Sequence, residues 1–327
     1  MAIFTATPTL PNQQLGTGDD LALAIEQYTG VVEGTIARHS KATPFVTVRP
    51  VRGTSTLTNE GIGESTLQVL KKGESPDATI NQNNRVNLTV ETPVIARNFV
   101  AQIDAFQKNY DVRSEIGKEH GKLIAKFTDQ AFFIQAAKTA ARTTSAFGAL
   151  PGHQGGTTVT LATAADRLDP AAMYAAISDL FAGMEGKDVD PQADNVMLAL
   201  RPDIFYTLMQ AEHIINTTYI TANGMEIANT KVLRAFGVPV VSSNNVPNSA
   251  ITNHELSTVR NGNSFDGDFT KLAVVAFSPD ALLAGETIPL ETNVWWDDGA
   301  KGWFIDAWLA FSATANRAEY AGRIILP

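Results

Sequence analysis

Histidine is the side chain that most often supplies acid–base catalysis or binds zinc near neutral pH, and this chain has five. They are His39, His120, His153, His213 and His254. No two have the H-x-x-x-H spacing that places a zinc pair on one face of a helix. An α/β hydrolase would require His153 or His213 to meet a carboxylate and a nucleophile in the folded chain. Scattered structural histidines explain the pattern better, and the hydrolase is kept as a minor alternative.

The other motif searches do not indicate an enzyme. Residues 183–187 contain two glycines and a lysine, but their spacing cannot cradle a phosphate. Gly61 and Gly63 are not followed by the third glycine and the helix of a dinucleotide site. Residues 297–299, Asp-Asp-Gly, could supply calcium ligands, although a plain turn uses the same residues. We therefore predict no catalytic, cofactor-binding or metal-binding residue and no cofactor.

The composition is that of an acidic, globular chain without thiol chemistry. Of its 327 residues 44% are hydrophobic, which favours a folded interior over disorder. The absence of cysteine excludes disulfides and thiolate metal sites. A net charge of -9 argues against a protein whose task is to grip nucleic acid. Because no apolar run approaches a membrane helix and the N-terminus does not resemble a signal peptide, we expect a cytoplasmic product without a membrane partner.

An arm and a polar excursion precede the longest helix. Residues 1–42 carry one helical pattern, from Asp19 to Ile36, which is too short to form a core alone and must pack on something else. The excursion from Gly53 to Asn84 lies between two predicted strands and contains few apolar residues. Its Thr66–Leu70 run predicts a projecting β-arm that contributes contacts to another molecule rather than to the core.

The longest helical pattern begins at the N-cap candidate Asp111 and continues to Arg142. Its predicted buried stripe consists of Leu123, Phe127, Ala131 and Ile134. Gly117 and Gly121 lie inside it, each at a cost of about 1 kcal/mol relative to alanine. Two interpretations of these glycines stay open, close packing against another element or a bend point that lets the helix straighten.

The second half of the chain predicts a compact α/β lobe and a C-terminal β-hairpin. Asp169 and Pro170 predict a helix start, and Gly186 predicts its end. The apolar positions predicted to be buried in this helix are Met173, Ile177, Leu180, Phe181 and Met184. In the hairpin, the second predicted strand, residues 303–313, is apolar on both faces, so both faces need cover.

Three short segments carry a resemblance to a known family. They are residues 109–115 (NYDVRSE), 237–247 (GVPVVSSNNVP) and 318–322 (AEYAG). With the order of arm, loop, long helix, lobe and strands, they resemble the Hong Kong 97-type capsid fold in its short-tailed (podovirus) branch, an α+β fold. The resemblance implies an N-terminal arm at 1–45, an extended β-loop at 46–95, a peripheral domain with a long spine helix at 96–160 and 285–327, and an axial α/β domain at 161–284.

The function that this resemblance implies is that of a phage major capsid protein and not of an enzyme. Such a protein assembles as a homo-oligomer, through hexamers and pentamers, into an icosahedral shell, here expected to be T=7, around double-stranded DNA. The expected partners are a scaffolding protein, a portal, packaged DNA contacted non-specifically and, as a further candidate, a decoration protein. Assembly is expected in the host cytoplasm, and the mature location is the virion. An encapsulin-like compartment that holds protein cargo shares the fold and is the alternative.

The resemblance also implies where copies of the chain meet, because the extended loop of this fold lies across an adjacent subunit. The predicted interface residues are Glu60, Glu64, Lys71, Lys72, Trp303 and Trp308. Lys71 and Lys72 lie in the loop in which one member of the fold crosslinks a lysine to an asparagine of a neighbour. The short-tailed branch is not known for this chemistry, so solvated lysines or salt bridges to neighbours are the favoured interpretation.

Overall fold

The structure is a computed structural model, and it describes residues 20–73, 75, 78, 80–102, 112–210 and 233–327. The α-helices of these residues are α1 (Asp20–His39), α2 (Val112–Ala140), α3 (Pro170–Glu185) and α4 (Pro202–Leu208). The strands are β1 (Val48–Pro50), β2 (Thr56–Ile62), β3 (Asn83–Thr89), β4 (Pro93–Ala101), β5 (Thr157–Thr160), β6 (Met197–Leu200), β7 (Leu233–Ala235), β8 (Val238–Ser242), β9 (Ala250–Ile251), β10 (Gly267–Asp268), β11 (Leu272–Phe277), β12 (Leu282–Asp297), β13 (Gly302–Ala315) and β14 (Ala321–Ile325).

The chain divides into two compact units. Unit 1 takes its described residues from Met1–Ser40, Thr92–Phe127 and Thr287–Phe311. Unit 2 takes them from Lys41–Glu91, Thr128–Glu286 and Ser312–Pro327. The division into arm, loop, peripheral domain and axial domain that the family resemblance implies stays a prediction.

Unit 1 packs two helices on one face of a sheet. Strand β4 pairs antiparallel with β13, with Val100 opposite Trp303 and Ile95 opposite Trp308. Because successive side chains of a strand point to opposite faces, Trp303 and Trp308 leave opposite faces of β13. The core contains buried residues of α1, α2 and the sheet, namely Tyr28, Val32, Val100, Ile124, Val294, Trp303, Ile305 and Ala307. The other face of the sheet keeps Ile95 and Phe99 exposed.

Unit 2 is built around a six-stranded sheet in the order β5-β14-β11-β6-β8-β7. The predicted start of α3 is confirmed, because the Asp169 carboxylate accepts a hydrogen bond of 3.0 Å from the Ala171 amide and Pro170 occupies the first turn. Its end at Gly186 is confirmed as well. All five apolar positions predicted for its inner face are buried, and Ala176 joins them.

The long helix α2 forms as predicted, and the predicted stripe positions Ala131 and Ile134 are buried, but the position predicted at Leu123 is wrong. Leu123 is exposed, and Ile124 is buried in its place. From Ala131 to Ala140 almost every side chain is buried, so this part of the helix has no solvent face that a periodic pattern could reveal. The predicted N-cap, Asp111, lies outside the described residues.

The two helical glycines pack closely against α1, as one of the two interpretations predicts. A Cβ on Gly117 would lie 3.1 Å from the Tyr28 ring, and one on Gly121 would lie 2.7 Å from the Thr35 Cβ. It would also lie 2.9 Å from the backbone oxygen of Val32, which cannot rotate away. The glycines therefore let α1 approach the backbone of α2.

We predict that Gly121→Ala loosens α1 from α2 and lowers the free energy of unfolding by about 1–3 kcal/mol, because the added methyl overlaps α1. Gly34→Ala is the matched control, since nothing lies within 4 Å of a Cβ at that position of α1. It should stabilise the helix by up to about 1 kcal/mol. Chemical denaturation of both variants checks this, and equal effects would contradict the close packing.

The polar excursion is a β-hairpin, but its strands differ from the prediction. Strand β2 pairs antiparallel with β3, from Thr56 opposite Thr89 to Ile62 opposite Asn83. The predicted strand at Thr66–Leu70 is wrong, since these residues do not form a strand in the described structure. A strand is held by its ladder of hydrogen bonds, and β3 offers that ladder to residues 56–62 instead.

Candidate functional site

The described residues contain no metal-ligand cluster. No group of three or more His, Asp or Glu side chains in them could hold a metal ion. Among the described helices, none is both long and apolar enough to cross a membrane.

His153 is the histidine of the hydrolase alternative that the structure describes, and it does meet a carboxylate. Its Nδ1 lies 3.4 Å from Oε1 of Glu319, and both side chains are almost fully buried. Its Nε2, however, lies 3.2 Å from the backbone oxygen of Ile62. A catalytic dyad would direct that nitrogen at a hydroxyl or thiol nucleophile, and a carbonyl oxygen is neither. His213, the other candidate, lies outside the described residues.

The contact of His153 with Ile62 is one of several that fix the base of the hairpin within unit 2. The Glu64 amide donates to the Pro151 carbonyl at 2.9 Å. The Asn84 side chain donates to the Phe147 carbonyl at 2.6 Å, and Gly61 lies so close to the Phe147 ring that a Cβ would be 2.7 Å from it. The expectation that the whole Gly53–Asn84 excursion lies outside the core is therefore wrong for its base. The base is packed because both strands contact the segment around Phe147, whose side chain is buried.

The outer part of the hairpin, residues 65–81, is the apolar surface of this region. Leu67 and Val69 are 102% and 89% exposed, and Leu70 is exposed as well. Of the predicted interface residues, Glu60, Glu64, Lys71 and Lys72 are all exposed on the hairpin. Exposed apolar side chains beside charged ones are typical of a surface that another molecule covers.

The two predicted interface tryptophans lie in different environments. Trp303 is buried in the core of unit 1, where its ring meets Trp296 edge to face at 5.3 Å. Trp308 lines a groove of about 450 Å³ on the opposite face of β13, together with Ile95 and Trp295. Trp308 can therefore reach another molecule, whereas Trp303 offers little surface.

A buried carboxylate in that groove was not found by the sequence analysis. Asp306 accepts hydrogen bonds of 2.7 and 3.1 Å from the guanidinium of Arg97, which is half exposed. The same guanidinium lies 5.1 Å over the Trp295 ring. The sequence signal was an aspartate inside an otherwise apolar strand, a position that is rarely charged without a partner.

Asp129 of α2 is a second buried carboxylate that the sequence analysis missed. It is fully buried, and it accepts hydrogen bonds from the amides of Lys41 and Ala42 at 2.8 and 3.0 Å. The Asn245 side chain lies 3.4 Å from the same carboxylate. Asp129 thereby fixes the segment that follows α1 to unit 2.

A family model described as "Gp10A-like: Major capsid protein" matches residues 70–282, which is more than half of the chain. The chain belongs to this family of major capsid proteins. It is thus a shell-forming phage capsid protein, and its place is the capsid of the virion.

Solved structures show the fold of this capsid protein. The capsid of the cyanophage P-SCSP1u has 18% identity and a TM-score of 0.74, with 86% of each chain covered. The mature capsid of bacteriophage PhiM1 has 22% identity and a TM-score of 0.72, with 88% of this chain and 87% of that chain covered. No curated protein matches the sequence. The predicted Hong Kong 97-like α+β fold is confirmed.

A virus-like particle from Pyrococcus furiosus has the same fold, with 11% identity, a TM-score of 0.53 and coverage of 93% of this chain and 99% of that chain. The fold alone therefore does not separate a phage capsid from a virus-like particle of this kind. The family match makes that distinction, and it favours the phage capsid over the encapsulin-like alternative.

Proposed function

We propose that this capsid protein assembles through hexamers and pentamers into an icosahedral T=7 shell that encloses double-stranded DNA, and that it has no enzymatic activity. The observation that carries the proposal is the exposed apolar run around Leu67 and Val69 at the end of an anchored hairpin. An anchored base and an apolar outer part suit an arm that binds the next copy of the chain. If each copy binds the next one around a closed ring, this apolar surface is covered by a neighbour in every subunit.

The acidic charge of the chain fits a shell that encloses DNA without binding it tightly. Each phosphate contact by a lysine or arginine strengthens non-specific attachment, and a net charge of -9 disfavours many such contacts. We infer that DNA is contacted weakly, and that a scaffolding protein and a portal direct assembly in the host cytoplasm. A decoration protein on the outer surface is a further candidate partner.

Within this proposal, the predicted interface residues stay Glu60, Glu64, Lys71, Lys72, Trp303 and Trp308, of which the hairpin charges and Trp308 offer the most surface. Lys71 and Lys72 are exposed beside the apolar run, where they can pair with acidic groups of a neighbour. Covalent crosslinking is not needed for such contacts, so denaturing gels of assembled shells should show one band at the monomer mass. Trp303 contributes to the fold of its own subunit.

Native mass spectrometry of the purified chain tests the oligomers directly. As the concentration rises, species of six and five copies should appear, because both rings use the same heterologous contact. Exposed apolar surface should be lost in the same concentration range, as measured by dye binding. Dimers that do not grow further, or monomers at every concentration, would contradict the proposed hexamers and pentamers.

A further inference from the structure

One buried histidine joins three separate segments of unit 1. Tyr28 of α1 lies with its hydroxyl 2.5 Å from Nδ1 of His120 on α2. Nε2 of His120 lies 3.2 Å from the side-chain oxygen of Asn98 on β4. His120 is 1% exposed, and Tyr28 is also buried. The buried Tyr28 side chain of α1 thus ends on an imidazole.

The directions of these hydrogen bonds follow from the groups involved. Burial raises the pKa of Tyr28, so its hydroxyl stays protonated and donates. Nδ1 of His120 therefore accepts, and Nε2 carries the ring proton and donates to the Asn98 oxygen. Burial also lowers the pKa of His120, which keeps the imidazole neutral at neutral pH.

The charged groups around His120 come from three elements. Asp306 on β13 and Glu119 on α2 both favour the protonated imidazole and partly offset the effect of burial on the pKa of His120. Asp306 is itself paired with Arg97 of β4, which reduces its effect on the imidazole. From α1 the facing group is the Tyr28 phenol, and the contact of Thr29 with Thr292 does not titrate.

We propose that His120 is a protonation-sensitive clasp that holds α1 on α2 and releases it in mildly acidic solution. A proton on Nδ1 removes the acceptor that the Tyr28 hydroxyl uses, and it places a charge in a buried site. The Tyr28 oxygen can accept from the new N–H only after its own proton has rotated away from the ring, so the phenol loses the hydrogen bond that it donates in the docked state and the contact is weakened. Release uncovers the apolar face of α1 that contains Tyr28 and Val32, both buried in the docked state.

The sign and size of the effect follow from proton linkage. The pKa of His120 is lower in the docked state than its ordinary value of about 6.5. Its contribution to docking is therefore complete above that value and is lost as the pH falls below it towards the docked-state pKa. Between pH 7.5 and pH 5.5, the equilibrium constant for release should rise by up to about tenfold.

Hydrogen exchange of the full chain between pH 7.5 and pH 5.5, corrected for intrinsic exchange rates, tests this clasp. Protection of the α1 amides should fall by up to about tenfold, while protection of α3, which contains no histidine, should stay constant. In His120→Gln the side-chain oxygen still accepts from Tyr28 but cannot be protonated, so α1 protection should not depend on pH. Wild-type protection that is constant over this range would overturn the proposal.

Two further variants test whether the pH dependence comes from His120 and whether the Tyr28 hydrogen bond contributes to docking. His39→Gln removes the exposed histidine in the last turn of α1 and should leave the pH dependence unchanged. Tyr28→Phe keeps the ring but removes the donor, so α1 protection at pH 7.5 should fall about fivefold, as expected for one hydrogen bond of about 1 kcal/mol. If the pH dependence disappears with His39 or survives in His120→Gln, then His120 is not the clasp.

Discussion

Excising residues 65–81 is expected to leave a folded subunit that no longer closes into shells. The Gly63 amide donates to the Gln82 carbonyl at 2.8 Å, so two glycines can connect Glu64 to Gln82 without disturbing β2 and β3. The excised segment holds the exposed Leu67 and Val69 and no buried side chain among its described residues. Its removal should therefore remove contacts between subunits and leave the hydrophobic core of each subunit intact.

A paired substitution serves as the control for chain length. Leu67→Ser combined with Val69→Ser keeps the loop but removes its apolar surface, and it should impair closure as the excision does. Val259→Ser changes a side chain that is equally exposed, at 93%, on another loop and should leave assembly unchanged. Sedimentation and electron microscopy measure assembly, and thermal melting confirms folding. Normal shells from the excised chain would show that the loop does not carry the contacts.

Asp129→Ala is expected to lower the free energy of unfolding by about 3 kcal/mol. The substitution leaves the buried amides of Lys41 and Ala42 without their acceptor, and a buried unsatisfied donor costs about 1–3 kcal/mol. Loss of the carboxylate also leaves a cavity on α2, which adds to that cost. Urea denaturation of the unassembled subunit measures the change.

Two variants calibrate this result. Asp129→Asn keeps one oxygen that can accept, so its destabilisation should be intermediate. Glu115→Ala removes an exposed carboxylate from the first turn of the same helix and should leave stability almost unchanged, because solvent screens an exposed charge. A loss below about 1 kcal/mol for Asp129→Ala would mean that the segment after α1 is held by other contacts.

Local signals in the sequence were sufficient to predict the helices whose capping residues and apolar spacing both lie within the helix segment itself. Helix α3 is the clearest example, because Asp169, Pro170 and Gly186 define its ends and the apolar spacing defines its inner face. The overall fold was predicted from the family resemblance, which rests on short segments of the sequence. Those predictions required no knowledge of distant neighbours.

Predictions failed where tertiary contacts decide the outcome. Thr66–Leu70 has strand-forming residues but is not a strand in the described part of the chain, whereas the polar β2 is a strand because β3 pairs with it. Leu123 fits a helical stripe as well as Ile124 does, and the position of α1 selects Ile124. Propensity alone cannot choose between such alternatives.

The buried polar side chains were the hardest features to foresee. Asp129 and Asp306 each lie in an apolar sequence context, which indicates burial but does not identify the partner. Arg97 and Asp306 are far apart in sequence and meet only because β4 pairs with β13. The role of His120 likewise could not be predicted from its own helix, because its hydrogen-bond partner Tyr28 belongs to a different helix.

Electron microscopy of the chain expressed with its neighbouring genes tests most directly whether it builds a phage shell. Uniform closed shells, several hundred ångströms across and built from six- and five-fold rings, are the predicted result. Compact monomers or small oligomers in the presence of every neighbouring gene product would contradict it.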